Sequence, residues 1–524
     1  MFLALSALVA AASVALPVAP VSVAAGDLDG DGSAEIVALM YWPSWGTTSR
    51  TVSATPGTID IEVVPALKER RELRAFRLTG DALSPVAEPL VVGSELLGLA
   101  GVGRAAPVLV LTKTGAAKLA LERDSTGRAV LSVQSIHSQN TVFRSADAPL
   151  RTVPMVQAEG GPWMVLSTAK GITAVAADAK VRAWESPLRV VRSGSLGTLV
   201  DPIPRAVDVD RDGTLDLLET GSEDPRGAAT RIALRRGLGD GQYASAQIWN
   251  VGPLLRVDPA ERAQQLVRRL EDVVDSDGDG TLDAVITAAD VEADGIKEAV
   301  KWLRGQPRAL EFVPLLPDGR FGTDSMRRAT VRGFPMPLPN AGGGRSAFRD
   351  LDADGRLDYV TLTLDIGTFG IVRAAMSGTL KTSVTPLVFR GVASGFRELA
   401  GAVPEINIRF DLRRVSFARF LDFPDDLDGD GRLDMTVCTD DELQVYAGQA
   451  DGSFSKEPSL RIPFDAPPRG DDSVWYLDLD GTAPLDVIAI ADDPSVKRDR
   501  SQDDPDSDPV IPARLMVRRV GVPP

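Results

Sequence analysis

The chain is poor in the residues on which most enzymes and disulfide-built proteins depend. Its 524 residues include one cysteine and one histidine. A lone Cys438 allows no intrachain disulfide, and with His137 it cannot complete a Cys/His zinc site. One histidine also argues against histidine-based triads. Cys438 ends the apolar run Met435-Thr436-Val437-Cys438, the setting of a small buried hydrophobe rather than a reactive thiol. His137 lies among Ser, Gln and Asn, as at a surface or strand end. Aromatics are sparse at 5%, and no basic block stands out, which argues against a nucleic-acid partner. Beyond the N-terminus no run approaches the ~20 apolar residues needed to cross a bilayer.

Glycine (48) and proline (37) are abundant, and 44% of residues are hydrophobic, which together suit a turn-rich all-β chain with a large core. The net charge of −16 has a local source. Of the 73 acids, 23 lie in six short loops; the remaining 50 face 57 bases. Six bound Ca²⁺ would move the net charge to about −4.

Those loops share the pattern D-x-D-x-D-G-x-L-D. Side-chain ligands are expected at positions one, three, five and nine, with a backbone carbonyl at position seven. The clearest loop offers Asp426, Asp428, Asp430 and Asp434, with the Arg432 carbonyl. Asp208, Asp210, Asp212 and Asp216 repeat it around Thr214, and Asp275, Asp277, Asp279 and Asp283 around Thr281. Asp350, Asp352, Asp354 and Asp358 do so around Arg356. A close variant places Asp27, Asp29, Asp31 and Glu35 around Ser33. The last loop keeps Asp478, Asp480 and Asp486 but has Thr482 and Ala483 at positions five and six, so weak binding or a hydrogen-bonded structural role is expected there.

Alternating oxygen donors with a turn-forming glycine suit Ca²⁺, which takes six to eight oxygens. About five to six such sites are expected. A helix–loop–helix calcium site would need Glu at position twelve. Those positions are Ala38, Glu219, Ile286, Thr361, Val437 and Ala489, so that reading fails. Clustered carboxylates without a cation would repel strongly. No catalytic or cofactor residue is assigned.

Short β-branched runs flank the loops, as in Tyr359-Val360-Thr361-Leu362 and Val487-Ile488-Ala489-Ile490, and mark strands. An Asp-Gly-x-aromatic turn follows at Asp240-Gly241, Asp318-Gly319 and Asp451-Gly452. Strand, loop and three more strands make one propeller blade. Units begin near 27, 101, 157, 208, 275, 350, 426 and 478, the second and third lacking carboxylates. Asp258-Pro259 followed by Glu261 to Leu270 reads as a short helix, and Lys297 to Arg304 as a second. Lys497 to Pro509 reads as a mobile loop, before a last strand at Ala513 to Val517.

Residues 1–15 are apolar, with Ser13-Val14-Ala15 as a small-x-small cleavage site, and read as a secretory signal peptide lacking its basic start. A second reading makes this run the first strand of the fold. Residues 16–524 are then expected to form a single domain.

The Asp-x-Asp-Gly-Asp-Gly-x-x-Asp loops with Asp-Gly-x-Phe turns resemble FG-GAP/VCBS repeats, the type that builds the propeller head of integrin α subunits. Literal Phe-Gly and Gly-Ala-Pro signatures are mostly missing, which favours the VCBS branch. Residues 60–200 match by rhythm alone. The resemblance implies an all-β propeller of seven or eight four-stranded blades, eight favoured, with structural Ca²⁺ and ligands bound elsewhere. The expected function is that of a secreted, periplasmic or cell-surface monomer binding an extracellular protein or glycan. Alternatives are a calcium-dependent polysaccharide lyase or hydrolase, for which Arg345, Tyr359 and Glu405 are loose candidates, and a purely structural envelope module.

Overall fold

The structure is a computed structural model. It describes residues 9–42, 54–55, 58–62, 70–80, 82–101, 104–142, 150, 153–158, 161–188, 190–192, 198–202, 205–210, 212–221, 231–239, 242–250, 265–291, 304–305, 307–316, 321–322, 325–336, 338–339, 345–364, 379–392, 395–401, 403, 405–411, 416–470, 473–479, 485–493 and 512–520. The chain divides into two compact units, residues 1–204 with 462–524, and residues 205–461. Each contributes four antiparallel blades, three of four strands and one of five in the first unit, and two of four strands plus a ten-stranded sheet that makes two in the second, so the fold is an all-β propeller of eight blades.

In the first unit, one blade runs Pro20–Gly26, Glu35–Trp42, Arg70–Thr79 and Ala82–Pro85. The next two run from Leu96 to Ser138 and from Met155 to Trp184. The fourth joins Val474–Leu477, Asp486–Asp492 and Ala513–Val520 to Val9–Leu16. Hydrophobic clusters fill the space between neighbouring sheets: Ala24, Val37, Leu39 and Leu73 meet Leu99, Val108, Val110 and Leu119. An additional four-stranded sheet pairs Thr58–Glu62 with Thr198–Pro202.

The second unit holds the blades Arg205 to Asn250 and Gln265 to Arg332, then one built on Asp358–Leu364 and Thr379–Val392, and one from Ser416 to Pro463. Ile406–Asp411 also pairs with Ser416–Asp422, so the last two sheets run on as one. Leu351, Val360 and Val388 pack with Phe423, Leu433 and Met435 between them. In each blade the first strand leads into one of the eight sequence units.

One expectation is corrected. Residues 265–270, read as the end of a helix, belong to the strand Gln265–Val274, paired with Asp283–Val291. Leu266, Val267 and Leu270 fit helical spacing, but ladder pairing with a neighbouring strand overrides that local signal. Residues 258–264 lie outside the described residues, as do 297–303 of the second expected helix and the loop 497–509. In the N-terminal run Val9–Leu16 is a strand in register with Ala513–Val520, and Ala12 and Leu16 are buried beside Leu515 and Val517. Among the described residues no helix is long and apolar enough to cross a membrane.

Candidate metal centres

Each acidic loop joins the first two strands of its blade, and its own backbone amides set its shape. The first carboxylate caps the turn: Asp426 accepts from Gly429 N and Gly431 N, both at 2.7 Å, and Asp27 and Asp275 do the same with their glycines. Gly355 N and Gly213 N reach Asp350 and Asp208 in the same way. The fifth-position carboxylate accepts from the position-seven amide, as from Ser33 N, Thr214 N, Thr281 N, Arg356 N and Arg432 N to Asp31, Asp212, Asp279, Asp354 and Asp430. Gly431 has φ +85°, a conformation glycine takes without strain.

The ninth carboxylate faces inward and ties the loop to the sheet. Leu28, Val209, Leu351, Leu427 and Leu479 donate their amides to Glu35, Asp216, Asp358, Asp434 and Asp486 at 2.7–3.2 Å. In the Asp275 loop the Ser276 hydroxyl also bonds to Asp283. The apolar residues at positions two and eight anchor the loop: Leu427 and Leu433 are buried, each stabilising by about 2 kcal/mol.

Each of five loops brings three of its four expected carboxylates together, the fifth- or the ninth-position acid standing outside the cluster. Carboxylate oxygens of Asp27, Asp29 and Glu35 lie within 4.8 Å of one another, as do those of Asp208, Asp210 and Asp212, and of Asp275, Asp277 and Asp279. Asp350, Asp352 and Asp358, and Asp426, Asp428 and Asp434, make the remaining two clusters among the described residues. In the degraded loop Asp480 lies outside the described residues; Asp478 and Asp486 are described. Tyr359, a loose catalytic candidate, is fully buried and bonded by Arg308, whereas Glu405 is exposed, so the two do not meet.

Burial makes these clusters electrostatically costly. It pushes the Asp434 carboxyl up to about 7 and Asp358 to about 6, and raises Asp216, Asp283 and Glu35. Burial and then the adjacent acid raise Asp352 and Asp428. Asp208 Oδ1 is buried with no hydrogen-bond partner. Hard carboxylate oxygens, a spare buried acceptor and excess negative charge fit a hard divalent cation such as Ca²⁺.

One group escaped the sequence reading. Gly237 and Gly448, just past the third strand, and Gly391 near its end donate to Asp216, Asp434 and Asp358 at 2.7–3.0 Å. A Cβ there would lie 2.4–2.5 Å from a loop carbonyl oxygen, so only glycine lets the strand approach the loop. The signal was present: glycine stands three residues before Asp240 and Asp451 of the Asp-Gly turns.

Blade and loop define a β-propeller of acidic-loop repeats, and residues 426–489 match the FG-GAP-like repeat. A search of curated proteins finds no match. Among solved structures, an Agrocybe aegerita lectin described by its recognition of non-reducing terminal N-acetylglucosamine is 14% identical. That match covers 76% of this chain and 86% of the lectin, with a TM-score of 0.36. A Lactobacillus plantarum protein is 11% identical over 85% of this chain and 88% of its own, TM-score 0.22. The Photorhabdus luminescens Tc holotoxin pore is 12% identical over 94% of this chain and 26% of its own, TM-score 0.17. Scores this low carry no argument about ligand or activity.

Proposed function

We propose that this chain is a binding module whose propeller is held by Ca²⁺ in its acidic loops. The observation that carries the reading is the repetition of one carboxylate cluster in five blades, each at the same joint between first and second strands. A catalytic site occurs once per domain; a rivet occurs once per blade. Each site has four acidic side chains to neutralise, which a divalent cation would do while tying loop to sheet. Extracellular calcium modules bind at about 10⁻⁴–10⁻³ M, so the working compartment is a calcium-rich one: secreted, periplasmic or at the cell surface. The partner is an extracellular protein or glycan, held by segments that differ between blades, because the loops themselves are committed to the metal.

The test is a glycan and protein array probed with the calcium-loaded chain, beside a polysaccharide-depolymerisation assay. Saturable binding without new reducing ends or unsaturated products supports the module. Product release would replace it with a polysaccharide-active enzyme.

A further inference from the structure

The five loops are alike in their carboxylates and unlike in the cationic side chain that faces them. In four, an arginine from outside the loop reaches the loop's carboxylate oxygens, some of which also accept from loop amides. Arg77 lies 2.9 Å from Asp29 Oδ2 and 3.0 Å from Asp31 Oδ2, and its Nε donates to Glu35 at 2.7 Å. Arg236 lies 3.1 Å from Asp210 and 3.2 Å from Asp216. Arg327 spans Asp277 at 2.8 Å and Asp283 at 2.6 Å. Arg390 pairs with Asp352, and with Asp354 at 3.3 Å.

Three of these arginines share one register position. Phe76 pairs with Ile36, Arg235 with Leu217 and Phe389 with Tyr359, which puts Arg77, Arg236 and Arg390 across from the ninth-position carboxylate. In the Asp275 blade Pro314 holds that position, and Arg327 reaches in from the fourth strand. In the Asp426 blade Tyr446 pairs with Met435, so the position falls to Ala447. There the loop's own Arg432 pairs with Asp430 at 2.5 Å, and its Nε donates to the Gly448 carbonyl. No described arginine or lysine forms an ion pair with Asp428 or Asp434.

We propose that the four arginines are tethered counter-cations that compete with Ca²⁺ for the same oxygens, leaving the Asp426 loop as the tight site. The inference rests on the calcium reading above. A guanidinium stays charged at any working pH, so it cannot yield by losing a proton. Calcium at 2.3–2.6 Å must take lone pairs the arginine now holds, and two cations on shared oxygens repel. Arginine-clamped loops therefore keep their shape when calcium is scarce, whereas the Asp426 loop responds to calcium first.

The experiment is calorimetric titration of the chelated full-length chain with CaCl₂, comparing wild type with Arg236→Gln, Arg390→Gln and Ala447→Arg, and circular dichroism to confirm folding. Wild type shows one tight site and a weaker class. Each Arg→Gln change moves one site at least about tenfold tighter, and Ala447→Arg weakens the tight site by at least about tenfold, roughly 1.4 kcal/mol. Arg390→Lys, which keeps a charge, stays close to wild type. If Ala447→Arg fails to fold because Ala447 is nearly buried, the Arg→Gln pair alone decides. Calcium binding with classes unchanged by the arginine variants overturns the competition while leaving the calcium reading intact. No calcium heat in any protein overturns both.

Discussion

Asp434 concentrates the energetics of these loops in one side chain. It is fully buried, and burial lifts its carboxyl to about 7, with Asp428 adding to the push against the Gly448 amide. The folded protein thus binds this proton more tightly than the unfolded chain, whose Asp titrates near 3.9. The stabilisation is complete below the unfolded value and is lost as pH rises through about 7. In chelator the melting temperature should fall between about pH 5 and pH 8, and Asp434→Asn should flatten that fall. With calcium the trend should reverse, because the metal binds the deprotonated form. A chelated melt that rises over this range would contradict the burial argument.

The carboxylates themselves were legible in the sequence, since alternating Asp with a fixed glycine has few other uses. The glycine across from them was not singled out, because its role depends on a neighbouring strand. Gly448→Ala would press a Cβ to 2.4 Å from the Leu433 carbonyl oxygen. A loss of about 1–3 kcal/mol in chemical denaturation is expected. An unchanged midpoint would mean the strand has room to move.

At the scale of elements, the strands that flank loops could be placed from β-branched runs and Asp-Gly turns. The turn at Asp451-Gly452 is present as expected: Gly452 has φ +80°, and Phe454 bridges back to Gly448 and packs on Phe423 at 5.6 Å. Gln265–Val274 reads as a helix because Leu266, Val267 and Leu270 fit helical spacing, and only the partner strand overrides that signal. The small sheet joining Thr58–Glu62 to Thr198–Pro202 had no local signal, since its strands are far apart in sequence. The run ending at Ala15 was ambiguous for the same reason: its partner, Ala513–Val520, lies at the other end of the chain. Deleting residues 1–15 should cost on the order of 3 kcal/mol and leave an open edge prone to pairing between chains. A truncated protein that melts like the full chain would place that run outside the folded unit.

At the scale of the whole molecule, eight blades were countable because six units carry the acidic phrase, and the apolar strands Leu96–Ala100 and Met155–Ala158 open two more at the same rhythm. The acidity of the chain is likewise a sum of local sites. Five of them have their carboxylates assembled, and their shared position suits fastening rather than chemistry. The most direct measurement is the thermal melt of the chain in calcium and in EDTA, with bound calcium counted by calorimetry. Calcium-held loops predict about five ions bound at saturation and a clearly lower melting temperature in EDTA. Identical melts and no heat of calcium binding would show that the acidic loops hold the propeller by hydrogen bonds alone.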